Sequence, residues 1–255
     1  MQGYRLSVHN LPQEVEEGEL EGSAVAVIDV LRATSTICQA LASGAREVVP
    51  FVEIEESLAA ANKAGRKNVV LGGERRGLLI KGFDVGNSPA EYTASAIQGR
   101  PVFITTTNGT RALQHARLAK SVVAASLLNL SAIVASLKNE PRIDILCAGT
   151  DGSETSEDIL LAGAIVHTLM SGDSSRWTAN ENAKAARTEW EKIVAASEVD
   201  EKTLHQLVTS RLNASLGGKN CIEVGNGSDI PYCAQVDLLR VVPRLNLREW
   251  KITAA

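Results

Sequence analysis

The sequence has few aromatic residues, no long apolar run and no concentrated stretch of positive charge. Phe, Trp and Tyr make up 4% of its 255 residues, too few for a surface that stacks nucleic-acid bases. Lys and Arg total 26 against 30 Asp and Glu, a formal net charge of -4, and no basic run offsets it, so a nucleic-acid partner is not expected. No apolar stretch reaches the roughly 20 residues of a membrane-crossing helix. Residues 1–10 also lack the apolar core of a secretion signal, so the expected location is cytoplasmic.

Metal and nucleophile signatures are equally sparse. Cys38, Cys147, Cys221 and Cys233 form no C-x-x-C pair and are expected as reduced thiols. His9, His115, His167 and His205 are scattered, with no H-E-x-x-H pattern, which leaves zinc without support and points any metal toward a hard, oxygen-bound ion. Asp29-Val30-Leu31 lacks the second aspartate of a D-x-D phosphoryl acceptor, and no cysteine has an arginine six positions on, so a covalent phosphoryl intermediate is not expected. Gly217-Gly218-Lys219-Asn220 lacks the hydroxyl of a Walker loop, and Gly225-x-Gly227 lacks a third glycine, which removes nucleotide-triphosphate and dinucleotide readings.

What is present is a repeated strand–loop–helix rhythm. Tyr4 to Val8 reads as a short strand and the glutamate-rich stretch Glu14 to Glu21 as a solvated loop. Apolar, β-branched runs are expected as strands at Ser23–Asp29, Glu47–Val52, Asn68–Leu71, Pro101–Thr105, Val122–Ala124 and Ile143–Cys147. Helices are expected at Thr34–Ala42, Glu55–Ala64, Pro89–Ile97, Thr110–Leu118, Leu130–Leu137 and Glu157–Met170. This alternation predicts one α/β domain over residues 1–255, a three-layer α/β/α arrangement around a mixed, mostly parallel sheet. Two polar helices, Ala179–Ala196 and Glu201–Ser215, are expected as a helical insertion over roughly residues 174–216, and a last strand near Glu249–Thr253.

Three of the junctions carry chemistry-bearing side chains where an open α/β sheet binds ligands, at strand ends facing helix starts. Thr105-Thr106-Thr107-Asn108-Gly109-Thr110-Arg111 gathers hydroxyls, an amide, a glycine and a guanidinium. That composition suits a phosphate, with Gly109 permitting a left-handed turn or a close approach and Arg111 a bidentate fork; an ordinary capped helix is the plain alternative. Asp29 and Arg32 stand three residues apart after the first buried strand, as a metal ligand and an oxyanion ligand, or as an ion pair, or with Asp29 capping the turn that follows. Residues 149–158 concentrate carboxylates at a helix start, which suits magnesium and equally suits a helix dipole; Glu157 and Asp158 are the chosen ligands. Gly72 to Gly77 and Gly82 to Pro89 read as glycine-rich loops able to close over an anion or as plain turns. Asp229 to Cys233 reads as a packing or capping segment.

Taken in order, Val27 to Thr36, Gly73-Glu74-Arg75, Gly82 to Pro89, Thr106 to Arg111, Cys147-Ala148-Gly149 and Glu157-Asp158 with Ala162-Gly163-Ala164 closely resemble the 2-phosphosulfolactate phosphatase family. The resemblance implies magnesium-dependent hydrolysis of 2-phospho-3-sulfolactate to 3-sulfolactate and phosphate, a step toward coenzyme M, or of a related phosphorylated hydroxy acid. It makes a small, highly charged phosphorylated substrate the expected partner, with a homodimer as one option. In the mechanism so expected, Asp29, Glu157 and Asp158 hold Mg²⁺, and Arg32, Arg111 and the segment Thr107, Asn108, Gly109, Thr110 bind the phosphoryl group. Glu74 serves as general base or support, and Arg75 meets the carboxylate or sulfonate. A non-catalytic sensor using the same loops is the competing reading.

Overall fold

Five consecutive buried residues, Ala24–Ile28, form the strand around which the computed structural model is organised. The structure describes residues 3–199 and 203–255. Because successive strand side chains point to opposite faces, Ala24, Ala26 and Ile28 enter one apolar core while Val25 and Val27 enter another. A strand buried on both faces requires a helical layer on each side, and the chain supplies both.

Along the chain, β1 (Tyr4–His9), β2 (Ala24–Ile28), α1 (Ala33–Ala42), β3 (Glu47–Phe51) and α2 (Ile54–Ala64) lead into β4 (Val70–Arg75), β5 (Leu78–Leu79) and the single turn α3 (Ala94–Ile97). Next come β6 (Pro101–Thr105), α4 (Gly109–His115), β7 (Ser121–Ala125), α5 (Leu130–Leu137), β8 (Arg142–Cys147) and α6 (Ser156–Met170). The last part holds β9 (Trp177–Ala179), α7 (Glu181–Val199), α8 (Leu204–Ala214), α9 (Leu216–Glu223), α10 (Asp229–Cys233), β10 (Pro243–Asn246) and β11 (Lys251–Ala254).

The 11 strands make one sheet in the order β5-β4-β6-β3-β11-β10-β7-β2-β8-β1-β9. β4, β6 and β3 form one parallel set, and β7, β2, β8, β1 and β9 another. The hairpin β10–β11 is wedged between them and pairs antiparallel on both sides. Three antiparallel steps leave the two sets running in opposite senses. Loops that follow β6 and β2, one from each set, nonetheless share one site.

The helical stretch expected as an insertion lies on the sheet: α7 packs on α6 and β1, with Ala183, Ala186, Trp190 and Ile193 buried in the same core as β1, β2 and β8. Its predicted start at Glu201 lies outside the described residues; α8 begins at Leu204 behind a Thr203–Gln206 capping box. Two expectations are corrected. Glu14 to Glu21 is no plain loop, since Glu17–Leu20 makes a 3-10 turn that buries Leu20 in the core. The glycine-rich segment after Leu71 continues β4 to Arg75: a Cβ on Gly73 would collide with the Thr105 backbone of β6, and one on Gly72 with the Tyr92 hydroxyl. These glycines mark close approach within a sheet.

Close approach also governs the outer layer. A Cβ on Gly163 of α6 would lie 2.6 Å from the Ala186 carbonyl carbon and 3.2 Å from Trp190 Cβ of α7. Gly163→Ala is therefore expected to push the two helices apart and lower the unfolding free energy by about 1–3 kcal/mol, measured by urea denaturation; an unchanged midpoint would show that the contact yields without cost.

Candidate active site

Segments from distant parts of the chain enclose a cavity of about 700 Å³. Asp29, Leu31 and Arg32 enter from the end of β2, Glu74 to Gly77 from the β4–β5 hairpin, and Thr107 and Asn108 from the end of β6. Asn87, the turn Thr150-Asp151 and the α9 face complete it, the last through Gly217, Asn220 and Cys221.

Asp29 is placed by the turn that starts α1. Its Oδ1 accepts from Ala33 N–H (3.1 Å), and its carbonyl accepts from Thr34 N–H (3.0 Å) and the Thr34 hydroxyl (2.8 Å). Oδ2 faces Gly109, where a Cβ would stand 2.7 Å from that oxygen and 2.5 Å from Ala33 Cβ; of the two reasons offered for Gly109, close approach is the one that applies. Burial raises the Asp29 pKa to about 7; Ala33 N–H and Arg32 act against this, and the Glu74 and Glu157 carboxylates add to it.

Arg32 is buried and held rigidly. Nη1 donates to Asp229 Oδ2 (2.7 Å) and Nη2 to Gly77 O (3.2 Å), and the network orients the Asn226 amide oxygen toward both nitrogens at 2.9 and 3.2 Å. Asp229 also accepts from the Ser88 hydroxyl at 2.6 Å. The segment expected to pack or cap thus carries the partner of the central arginine.

Glu74 acts as a clamp: it accepts from Thr107 N–H (2.7 Å), the Thr107 hydroxyl (2.9 Å) and Gly77 N–H (2.7 Å). Arg75 is tied to the backbone, donating to Glu74 O (3.2 Å) and to Val52 O. Thr110 N–H donates to Thr106 Oγ1 (3.1 Å) and the Thr110 hydroxyl to Thr106 O (2.8 Å). The N–H groups of Asn108 and Gly109 are left without a partner among the described residues, while the Asn108 side chain accepts from Asp151 N–H (3.3 Å).

Behind this wall stand two buried carboxyls. Asp158 Oδ1 accepts from Val30 N–H (2.9 Å) and Oδ2 from Gly149 N–H (3.1 Å), so both its oxygens serve the backbone. Burial raises its pKa well above the carboxylate range, helped by Glu157 and Asp29. Glu157 abuts Gly217 at the start of α9, its pKa is raised by burial, and its Oε2 is buried without a partner. No group of three His, Cys, Asp or Glu side chains suited to a metal occurs among the described residues; magnesium, however, is commonly held by one or two carboxylates with phosphate and water. An orphaned Glu157 oxygen near Asp29 fits that requirement.

The structure thus brings Asp29, Arg32, Glu74, Arg75, Thr107 and Asn108 to the cavity wall, with Gly109, Thr110, Glu157 and Asp158 behind it. Arg111 is exposed on α4 and does not line the cavity. Sequence reasoning did not single out Asn87, Asn220 or Asn226 as site residues, and it set Asp151 aside in favour of Glu157 and Asp158. The available signal for α9 was Gly217-Gly218 at a helix start, tested only against a nucleotide loop.

The family model described as 2-phosphosulpholactate phosphatase matches residues 9–247. A Thermotoga petrophila protein named "probable 2-phosphosulfolactate phosphatase" is 40% identical over 226 residues, covering 89% of this chain and 90% of its own length. Proteins of the same name from Symbiobacterium thermophilum (39% over 226 residues, 88% and 92% covered) and Clostridium tetani (36% over 236 residues, 91% and 93% covered) are similar in turn.

The raised pKa of Asp29 carries a stability consequence. Between the ordinary value of 3.8 and about 7, the folded protein keeps a proton that the unfolded chain has released, so this group favours folding at low pH and loses that effect as pH rises through 7. In chelator-treated protein, Asp29→Asn is expected to match the parent near pH 4 and to exceed it increasingly up to pH 8, approaching about 4 kcal/mol. Urea titrations across that range check it; a gap constant with pH would remove Asp29 as its source.

Proposed function

The chain belongs to the 2-phosphosulfolactate phosphatase family, and from that membership we propose that it is a magnesium-dependent phosphatase acting on 2-phospho-3-sulfolactate. The products are 3-sulfolactate and phosphate, a step toward coenzyme M. The observation that carries the reading is the meeting, in one cavity, of a buried fixed guanidinium, Arg32, a buried carboxyl, Asp29, and the unpartnered amide of Asn108, with that of Gly109 next to it behind the wall.

These groups divide the work of hydrolysing a phosphate monoester. The two amides and Arg32 bind the phosphoryl oxygens and stabilise charge as it builds there. Because Asp229 and Asn226 already fix the guanidinium, little reorganisation is needed when substrate arrives. Asp29 Oδ2, the oxygen not engaged by Ala33, orients the attacking water. Asp29 and Glu157 would hold Mg²⁺, with Asp158 keeping their loops in place. When bound, magnesium supplies charge neutralisation at the phosphate and a lowered pKa for its water.

Phosphate release from 2-phosphosulfolactate by purified protein, with Mg²⁺ and with EDTA, tests the reading; binding without release for this and related phosphorylated hydroxy acids would make the chain a sensor instead. Asp29→Asn is expected to lower kcat by about 100-fold or more. Arg111→Ala is expected to leave kcat/KM within about threefold, as for an exposed charge away from the ligand, and a loss beyond tenfold would return Arg111 to the site.

A further inference from the structure

We infer that Arg76 reads the sulfonate of the substrate and so sets the preference of this cavity for a sulfonated phosphate monoester; the inference rests on the phosphatase reading above. Arg76 is the first of two residues at the tip of the β4–β5 hairpin, between the paired residues Arg75 and Leu78. Its φ is 53° and that of Gly77 is 76°, the geometry of a type I′ turn. Asn or Gly takes the first position of such a turn at little cost, whereas an arginine there carries a conformational penalty.

The penalty coincides with a side chain facing the ligand space. Arg76 lines the cavity and is exposed, and its guanidinium has no ion pair or hydrogen bond among the described residues. Of the other two cavity guanidiniums, Arg32 is held through Nη1 and Nη2 by Asp229, Gly77 O and Asn226 and has only Nε left for the phosphoryl group, and Arg75 donates to backbone carbonyls. The tip itself is docked: Arg76 N–H donates to Thr107 Oγ1 (3.3 Å) and Gly77 N–H to Glu74 Oε2 (2.7 Å), while Gly77 lies against Val224. A free cation is thus held on a fixed backbone beside the segment that offers amides to the phosphate.

Chemistry selects the sulfonate over the carboxylate. The carboxylate is attached directly to the carbon bearing the phosphate, and the sulfonate one carbon farther out. With the phosphate held beside Asn108 and Gly109, the group that reaches an exposed guanidinium at the rim is the more distant one. A sulfonate presents three oxygens in an arrangement that the guanidinium fork can grip at two points.

The test compares 2-phosphosulfolactate with 2-phospholactate, which lacks only the sulfonate, using the full chain with Mg²⁺. Arg76→Asn removes the cation while suiting the turn, and Arg76→Lys keeps a charge without the fork. For Arg76→Asn, KM for 2-phosphosulfolactate is expected to rise about tenfold with kcat within twofold, and KM for 2-phospholactate to stay within twofold; Arg76→Lys should recover part of the loss. An equal rise on both substrates, or none on either, overturns the assignment of Arg76 while leaving the phosphatase reading intact. Failure of the parent protein to release phosphate from either compound overturns both.

Discussion

The structure depends on one buried carboxyl, Asp158. Sitting in the first turn of α6, it accepts from Val30 N–H with one oxygen and from Gly149 N–H with the other. Those two residues lie just past the ends of β2 and β8, adjacent strands whose last paired residues are Ile28 and Cys147. Beyond that pair the ladder ends, and the two loops must diverge to open a cavity, leaving buried N–H groups in need of acceptors. A single side chain meets both needs and ties α6 to the mouth of the sheet. Two N–H donors offset only part of the cost of burying a carboxyl beside Glu157 and Asp29, which is why its pKa is driven upward.

The same device recurs around the cavity. Glu74 joins the β4–β5 hairpin to the loop after β6, and Asp229 joins the loop after β2 to Ser88, through Arg32 on one side and the Ser88 hydroxyl on the other. Each acidic residue uses its oxygens to bolt segments from different parts of the chain, so loops that share no strand behave as one wall. The cost is a site dense in negative charge. Asp29 shows it most directly, because its carboxyl is pushed up by burial and then by Glu74 and Glu157. Under the proposed function, a site that takes a cation and an anion together would keep such charge density at the expense of stability.

Local pattern made the parts of this architecture legible. Leu130–Leu137 and Pro101–Thr105 have the bounds that periodicity predicts, and the three strand-loop-helix junctions fall where buried runs meet polar loops. What sequence could not show depends on partners far away. Nothing near Arg32 indicates that Asp229, about two hundred residues on, will fix it. Nothing in Arg244 to Asn246 or Lys251 to Thr253 indicates a wedge between two parallel sets. Gly72 and Gly73 read as loop because glycine lowers strand propensity, yet they lie in β4 because β6 and Tyr92 come too close for any side chain.

The segment from Thr105 to Arg111 shows why composition identifies a site more readily than it assigns roles. Its hydroxyls and amide suggest side chains that hold a phosphate. In the structure, Thr106 and Thr110 cap each other, Thr107 receives Arg76 N–H, and Asn108 receives Asp151 N–H. Arg76-Gly77 and Asp151-Gly152 each have two consecutive positive φ values, so two turns of the same kind rest on neighbouring residues and bring opposite charges to one cavity. The side chains of Thr106, Thr107 and Thr110 are spent on scaffolding, and the backbone N–H groups of Asn108 and Gly109 remain for a ligand. That division follows from chemistry: a threonine or asparagine can accept from a distant loop, whereas a free backbone N–H can only donate, and a phosphoryl oxygen needs donors.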